Sequence, residues 1–227
     1  MPTRFKSALL TAALIVAACI TPSCQRESEQ PQQAQQQKPE PQEPRRVDSP
    51  APSPPIVAAA RDQIGKTVRY DPSYVGLEYP MGDVPIDRGV CTDVIIRALR
   101  SGIGLDLQQL VHEDMKSAFS AYPKIWGLRR PDRNIDHRRV PNLRRFFQRK
   151  RWSLPVSQAR GDYLPGDIVT CKVSNRDHIM IVSDRKSERG TPLAIHNIGS
   201  GAVEDNSLFA FSITGHYRIP SPEGNTQ

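Results

Sequence analysis

The chain has few cysteines, no common zinc-ligand spacing and no long apolar run, and each of these absences excludes a class of protein or site. Its 227 residues include only four cysteines, too few for a disulfide framework in a chain of this length. No Cys-x-x-Cys pair and no His-x-x-x-His pair occurs, which argues against a zinc site of the usual ligand spacing. An apolar run at residues 8–18 has 11 residues, well short of the ~20 that cross a bilayer. We therefore predict no metal, no cofactor and no spanning helix.

What is present fits one ordinary domain with appendages. Lysine and arginine number 31 against 24 aspartates and glutamates, hydrophobic residues make up 37%, and proline is frequent at 21 residues. This composition differs from that of a coiled coil, a collagen or a polytopic membrane protein. The length accommodates one domain more readily than two large ones.

The N-terminus predicts export. Arg4 and Lys6 precede the short apolar run, and the run ends in Val16-Ala17-Ala18-Cys19, which resembles a bacterial lipobox. We predict a signal peptide at residues 1–18 and acylation of Cys19, which would anchor the chain to a membrane without a spanning helix. The alternative is an ordinary secreted protein cut near Ala18 or Ser23.

A linker and a tail are predicted around the domain. Residues 25–55 hold 8 Gln, 8 Pro and 4 Glu, a composition that cannot bury enough apolar surface to fold. We assign residues 19–55 to the anchor and a disordered linker, 56–220 to the domain and 221–227 to a tail. Ile20 follows Cys19 where an inner-membrane retention signal would place Asp. We therefore expect the protein at the periplasmic face of the outer membrane.

The hydrophobic period changes along the domain and predicts an α+β fold with helices first and a small antiparallel sheet after them. Predicted helices cover residues 56–64, a segment from Cys91 that Gly102 and Gly104 end, 107–119 and 140–150. Predicted strands cover residues 168–173, 178–183, 193–198 and 215–219.

Cys91 is the first candidate for chemistry. It follows Gly89 at the start of the best-defined helix, where free N–H groups stabilise a thiolate or an oxyanion. By itself the position is weak support, because a cysteine in an apolar sequence is more often a small core residue.

Two histidines strengthen the hypothesis. If residues 185–189 form the loop of a hairpin, His178 lies opposite His196 at the distance of a cross-strand pair. Facing imidazoles suit the base and the orienting group of a thiol triad. A one-residue slip of the register would separate them.

Three segments carry a resemblance to known families: Tyr163-Leu164-Pro165-Gly166-Asp167, Asp177-His178-Ile179-Met180-Ile181-Val182 and Ile195-His196-Asn197. They look like the NlpC-type papain-like cysteine peptidases. The resemblance implies a papain-like domain in which Cys91 is the nucleophile, His178 the general base and His196 the orienting residue.

A closer resemblance is to domain-of-unknown-function family 1287. It rests on Tyr70-Asp71-Pro72, Asp87-Arg88-Gly89-Val90-Cys91-Thr92-Asp93, Asn134-Ile135-Asp136-His137-Arg138, Pro165-Gly166-Asp167 and Ile195-His196-Asn197-Ile198-Gly199.

The site departs from the usual superfamily motif, Asp-Cys-Ser-Gly, which is replaced here by Val90-Cys91-Thr92-Asp93. The resemblance also implies a tyrosine near the oxyanion, for which Tyr70 and Tyr79 are both candidates. We assign both tyrosines, with Asp93, to substrate binding.

Other features leave alternatives open. Cys171 is expected in the core, but a disulfide between Cys91 and Cys171 would abolish the nucleophile. The Asp136-His137-Arg138-Arg139 segment fits a loop closed by an Asp–Arg pair, and His112 and His216 have no partner that the sequence identifies. Residues 129–151 contain 10 lysines and arginines against 2 aspartates. This basic segment predicts either a solvated face or an anionic envelope partner, and export argues against nucleic acid.

The sequence therefore predicts a cell-envelope cysteine hydrolase with a Cys-His-His triad. Its substrate would be an amide, such as a peptidoglycan stem peptide, and acyl transfer to a nucleophile other than water is a related option. The alternative functions are a non-catalytic lipoprotein that binds anionic wall components through the same scaffold, and a structural tether between membrane and wall.

Overall fold

A computed structural model describes residues 52–220, which contain four α-helices and eight strands. The helices are α1 (Pro55–Arg61), α2 (Cys91–Ile103), α3 (Leu107–Ala118) and α4 (Val140–Arg149). The strands are β1 (Arg69–Tyr70), β2 (Arg88–Gly89), β3 (Ser153–Leu154), β4 (Ile168–Val173), β5 (Arg176–Lys186), β6 (Pro192–Asn197), β7 (Ala202–Asp205) and β8 (Ser212–Tyr217). The fold is α+β, with most of the helices preceding the main sheet.

The main sheet is antiparallel and six-stranded, in the order β3-β8-β4-β5-β6-β7. Strands β1 and β2 form a separate parallel pair beside it. Ala202, the first residue of β7, donates its backbone N–H to the carbonyl of Thr67, two residues before β1. The segment that leads into β1 is therefore bound to the start of β7.

Helix α2 lies at the centre of the domain. Every residue from Cys91 to Leu99 is buried, so this part of the helix is covered on all sides. Gly104 ends it in the left-handed conformation, with φ of 69°, which glycine adopts without steric cost. The first two turns of α2 are therefore buried as a whole, polar residues included, and do not show one apolar and one polar face.

Two hydrophobic cores cover the two faces of the main sheet. The first joins the helices to Ile179, Ile181 and Ile195, and it includes Cys91. The second lies on the other face and contains Cys171 and Met180 among others. Side chains alternate between the faces along a strand, so β5 contributes to both cores.

The predicted hairpin register was wrong. The structure pairs Ile181 with Ile195 and Val182 with Ala194, and β5 continues to Lys186 before the chain turns. The register is irregular between Val182 and Lys186, which shifts the strands relative to a simple five-residue loop. The shift is by two residues, and an even shift keeps His178 and His196 on one face. They are diagonal neighbours and not direct partners.

The described helices include none that is both long and apolar enough to cross a membrane. The predicted signal peptide, Cys19, most of the linker and the tail lie outside the described residues.

The aromatic cluster between α4 and β8 gives a test of the packing. Phe147 is fully buried, with its ring centroid 5.0 Å from that of Tyr217 and 5.9 Å from that of Trp152. We expect Phe147→Ala to lower the free energy of unfolding by about 3–5 kcal/mol, because it leaves a cavity. Denaturant unfolding measures this. Ile125→Ala is the control, since Ile125 is 69% exposed and should change stability by less than about 0.5 kcal/mol.

Candidate active site

The turn before α2 is built to hold Cys91 at the first position of the helix. The N–H of Val90 donates to Oδ2 of Asp93 at 2.6 Å, which closes the first turn from outside. Gly89 has φ of 154°, and a Cβ there would lie 2.9 Å from the same oxygen. Only glycine leaves room for this contact, so Gly89 and Asp93 fix the start of the helix together.

A buried ion pair completes this arrangement. Arg138 donates from Nε to Oδ1 of Asp93 at 2.8 Å and from Nη2 to Oδ2 at 2.9 Å, and each side chain is 2% exposed. Arg138 also presents its carbonyl to the hydroxyl of Thr92 at 3.1 Å. Both oxygens of Asp93 are thus engaged within the protein. We now assign Asp93 to positioning Cys91 and no longer to substrate binding.

The end of β6 supports the same turn. Asn197 donates from Nδ2 to the carbonyl of Gly89 at 3.0 Å. This bond ties the strand that carries His196 to the residues just before Cys91. Asn197 belonged to a quoted motif, but its role depends on a contact 108 residues away in sequence that no local pattern reveals.

The sulfur of Cys91 is buried among backbone donors. Burial raises the pKa of the thiol to about 12, although hydrogen bonds from the N–H groups of Ile179, Thr92 and Cys91 favour the thiolate and act in the opposite direction. The nearby charge of Asp93 adds to the rise. Cys91 is therefore a neutral thiol at pH 7, only 4% exposed.

Three side chains form a hydrogen-bonded chain on β5, β6 and β7. His178 Nε2 lies 3.0 Å from His196 Nδ1, and His196 Nε2 lies 3.1 Å from Asp205 Oδ1. The hydroxyl of Ser207 donates to the same oxygen of Asp205. Both histidines are buried, while the Asp205 side chain is 46% exposed. The chain thus runs from the interior to the surface.

This chain determines which nitrogens carry protons. A carboxylate only accepts hydrogen bonds, so His196 donates from Nε2 to Asp205 and, when neutral, has a bare Nδ1. That nitrogen accepts from Nε2–H of His178, which leaves Nδ1 of His178 unprotonated. Burial, and then the neighbouring His196, lower the pKa of His178 to about 3. His178 is therefore a neutral base at pH 7.

The sulfur and the first imidazole meet β5 at adjacent residues. The N–H that approaches the Cys91 sulfur belongs to Ile179, which directly follows His178. Paired residues of β5 and β6 begin at Ile181, so this part of β5 lies before that ladder. Within residues 52–220 no hydrogen bond joins sulfur to imidazole. The structure thus brings the two histidines into contact. His178 pairs with Cys171 of the second core, whereas Ile179 belongs to the core that contains Cys91, so the register places the His178 ring on the face of β5 opposite the sulfur.

A cavity of about 190 Å³ opens next to Cys91. Tyr70, Trp126, Arg139 and Asp177 are among its lining residues. The guanidinium of Arg139 lies 4.2 Å from the centre of the Trp126 ring, a cation–π contact. The volume suits one side chain of a larger ligand and not a whole drug-sized molecule.

The structure distinguishes the two candidate tyrosines. Tyr70 lines this cavity, and after burial the charge of Cys91 is the next cause that raises the pKa of its hydroxyl. Tyr79 instead packs edge-on against His112, with ring centroids 5.2 Å apart, and does not line the cavity beside Cys91. Tyr70 is therefore the tyrosine that stands at the site.

The two described cysteines are free thiols. Cys171 belongs to the second core, on the face of the sheet opposite the core that contains Cys91. The alternative of a disulfide between Cys91 and Cys171 is therefore wrong for this structure.

Sequence reasoning missed two carboxylate partners of histidines. Asp205 lies on β7, a strand that was not predicted. His216 donates from Nε2 to Asp167 Oδ2 at 2.7 Å, and Arg218 also donates to Asp167. Asp167 comes from the Pro-Gly-Asp turn, so that turn serves a buried structural pair. The predicted loop closure by Asp136 and Arg139 is confirmed, with a 3.1 Å ion pair.

No cluster of three or more histidine, cysteine, aspartate or glutamate side chains suited to hold a metal occurs in the part of the chain that the structure describes. The site defines the chain as an α+β domain with a cysteine at the first position of a buried helix and a hydrogen-bonded histidine pair on an antiparallel sheet. Sequence comparison agrees with the motifs: the chain belongs to the family described as Domain of unknown function (DUF1287), whose profile matches residues 57–219. This confirms the resemblance to family 1287.

A curated relative matches over the same domain. The chain is similar to the protein of Escherichia coli (strain K12) named Uncharacterized protein YijF, with 56% identity over 164 residues. The match covers 72% of this chain and 80% of the relative.

The raised pKa of Cys91 predicts how the thiol responds to pH. Iodoacetamide reacts with the thiolate, so labelling of Cys91 should accelerate about tenfold per pH unit from pH 7 to pH 10, with no plateau. Mass spectrometry of quenched samples measures the rate. Cys171 is the internal control and should react more slowly throughout, because it is fully buried. Fast, pH-independent labelling between pH 5 and pH 8 would show a thiolate–imidazolium pair instead.

The proton assignment can be measured directly. We expect nitrogen-15 chemical shifts to show His196 protonated at Nε2, and Asp205→Ala to convert it to a mixture of tautomers. Asp205→Asn should restore much of the original state, because its amide oxygen can accept the same bond. His216 is the internal control, since its partner Asp167 is unchanged. An unaltered His196 spectrum in Asp205→Ala would refute the assignment.

Proposed function

We propose that this protein is a cell-envelope thiol hydrolase with a papain-like domain of the NlpC type, and that it cleaves an amide bond. The observation that supports the proposal is the Cys91 thiol at the start of α2, with a backbone N–H of β5 on its sulfur, together with a hydrogen-bonded chain from His178 through His196 to Asp205 that begins at the preceding residue of that strand. The order of a helix-capping cysteine followed by histidines on successive strands supports the papain-like assignment.

In the proposed reaction, a neutral thiol is activated only as it attacks. Nε2 of His178 is occupied by His196, so Nδ1 is the nitrogen left to take the proton from sulfur. The step requires the His178 ring to turn from its place on the opposite face of β5 to the side of Cys91. The sulfur bonds to the amide carbon, and the carbonyl oxygen gains the negative charge. The Cys91 N–H at the start of α2 is the proposed donor to that oxyanion.

The second half of the reaction returns the proton. The imidazolium of His178 protonates the amine as the carbon–nitrogen bond breaks, leaving a thioester on Cys91. Water then attacks the thioester, with His178 again accepting a proton. Transfer of the acyl group to another nucleophile would follow the same steps with that nucleophile in place of water.

The proposed substrate and location follow from the sequence. Acylation at Cys19 would hold the domain at the periplasmic face of the outer membrane, where peptidoglycan stem peptides are the available amides. The charged and aromatic lining beside Cys91, with Arg139, Asp177 and Tyr70, suits a polar peptide side chain. The assignment to this substrate is by analogy with the superfamily and by compartment.

Digestion of purified wall fragments tests the proposal. Mass spectrometry should detect new peptide products with the wild-type protein, and Cys91→Ala should reduce their rate at least about 10³-fold. His178→Ala should cause a similar loss. Cys171→Ala is the matched control, because it removes the other buried thiol without touching the site, and it should retain activity if it folds.

A second function has its own support. Burial of Cys91 and its raised pKa also fit a binding protein that holds wall peptides without cleaving them. Identical digests from wild-type protein and Cys91→Ala, together with retained binding of the fragments, would favour that function.

A further inference from the structure

A second cavity, separate from the one at Cys91, has the character of an anion site. It encloses about 860 Å³ and is lined by Tyr74, His112, Arg129, Arg130, Arg133 and Asn134 among others. We propose that it binds the free carboxylates of a short acidic peptide. The inference rests on the proposed function, since it concerns a further part of the same peptide substrate.

The cations of this cavity differ from most of the later cations of the basic segment. Further along it, Arg138 is paired with Asp93, Arg139 with Asp136 and Arg149 with Asp114. Much of the segment's charge is therefore neutralised inside the fold.

The guanidinium groups of Arg129, Arg130 and Arg133 have no carboxylate within ion-pair distance across residues 52–220. All three side chains are exposed and face one cavity. Like charges held together are unfavourable unless a counter-charge arrives. A bound anion would relieve this repulsion.

The cavity's own carboxylate does not serve as that counter-charge. Asp132 accepts from the hydroxyl of Tyr74 at 3.1 Å and from the N–H of Asn134 at 2.9 Å. These bonds shape the loop wall and occupy the aspartate. Three guanidinium groups facing one engaged carboxylate leave the cavity with a net positive charge.

The linings of the two cavities meet at neighbouring residues. Trp126 lines the cavity beside Cys91, and Gly127 lines the arginine cavity. Likewise, Ile135 lines the cavity beside Cys91, and the preceding residue, Asn134, lines the arginine cavity. Consecutive Cα atoms are about 3.8 Å apart, so the linings adjoin along both loop segments. One extended peptide can therefore place an amide near Cys91 and its acidic groups against the arginines.

Carboxylate is the chemistry that fits. A guanidinium presents paired N–H donors that match a carboxylate or a phosphate in a two-point contact. A small peptide with several free carboxylates satisfies more than one arginine at once. Phosphate shares the chemistry, so the test includes it as a separate arm.

Calorimetric titration of the purified full-length chain tests the proposal. The Cys91→Ala variant is used so that no turnover consumes the ligand. The probes are an acetylated peptide with three glutamates, its counterpart with three glutamines, and inorganic phosphate. We expect the glutamate peptide to bind and the glutamine peptide to bind at least tenfold more weakly. Adding R129Q/R130Q/R133Q should weaken binding of the glutamate peptide at least tenfold.

A matched triple variant controls for net charge. R151Q/K186Q/R189Q removes three exposed cations that do not line the cavity, and it should leave affinity within about twofold of the parent. Circular dichroism verifies that each variant is folded. Equal losses in the two triple variants would overturn the proposal, as would binding of phosphate in preference to the acidic peptide. Failure to bind any probe would also overturn it, yet leave the Cys91 digestion assay to decide the hydrolase function separately.

Discussion

The ion pair between Arg138 and Asp93 is the contact on which the site depends. It is fully buried, and it joins the loop before α4 to the first turn of α2 across 45 residues of sequence. Two charges withdrawn from water are tolerated when each is fully hydrogen-bonded, and here Val90 occupies the remaining position on Asp93. The pair fixes the position of the first turn of α2. The chemistry proposed for the Cys91 sulfur depends on this turn keeping its position.

The second constraint is the hydrogen-bonded chain of His178, His196 and Asp205, which fixes the ring nitrogens that carry protons. Asp205 is partly exposed and His178 is buried, so polarity falls along the chain from Asp205 to His178. In such an environment neutral forms of thiol and imidazole are favoured over the charged pair. The proposed chemistry therefore resembles that of a hydroxyl nucleophile, in which the base acts only during attack. A bound peptide that excludes water would strengthen each of these hydrogen bonds.

Much of the fold could be predicted from the sequence because its helices and core strands have clear periods. The prediction for residues 107–119 is met by Leu107–Ala118, and the strand predicted at residues 168–173 matches Ile168–Val173. The hairpin register could not be predicted, since its irregularity beyond Val182 leaves no sign in local sequence. The short strands β1, β2, β3 and β7 were missed because two to four residues show no measurable alternation.

The candidate site, too, could be predicted only in part. Cys91 and the two histidines were identifiable from residue type and chain order, and the motifs identified the family. Partners that depend on distant contacts were not identifiable. Asp93 reads as a cleft residue in sequence, and only its pairing with Arg138 shows that it is internal. The choice between Tyr70 and Tyr79 likewise needed the packing of Tyr79 on His112.

The ends of the main sheet bear on how copies of this domain behave at high local density. An open sheet edge exposes unpaired backbone groups that can recruit a strand from another molecule. Here one outer strand, β3, has two residues, and the other, β7, has four and ends in Glu204-Asp205. Two short edge strands, one of them ending in acidic residues, offer little template for intermolecular strand addition. Crowding of neighbouring chains on one surface is thus compatible with each domain remaining a separate folded unit.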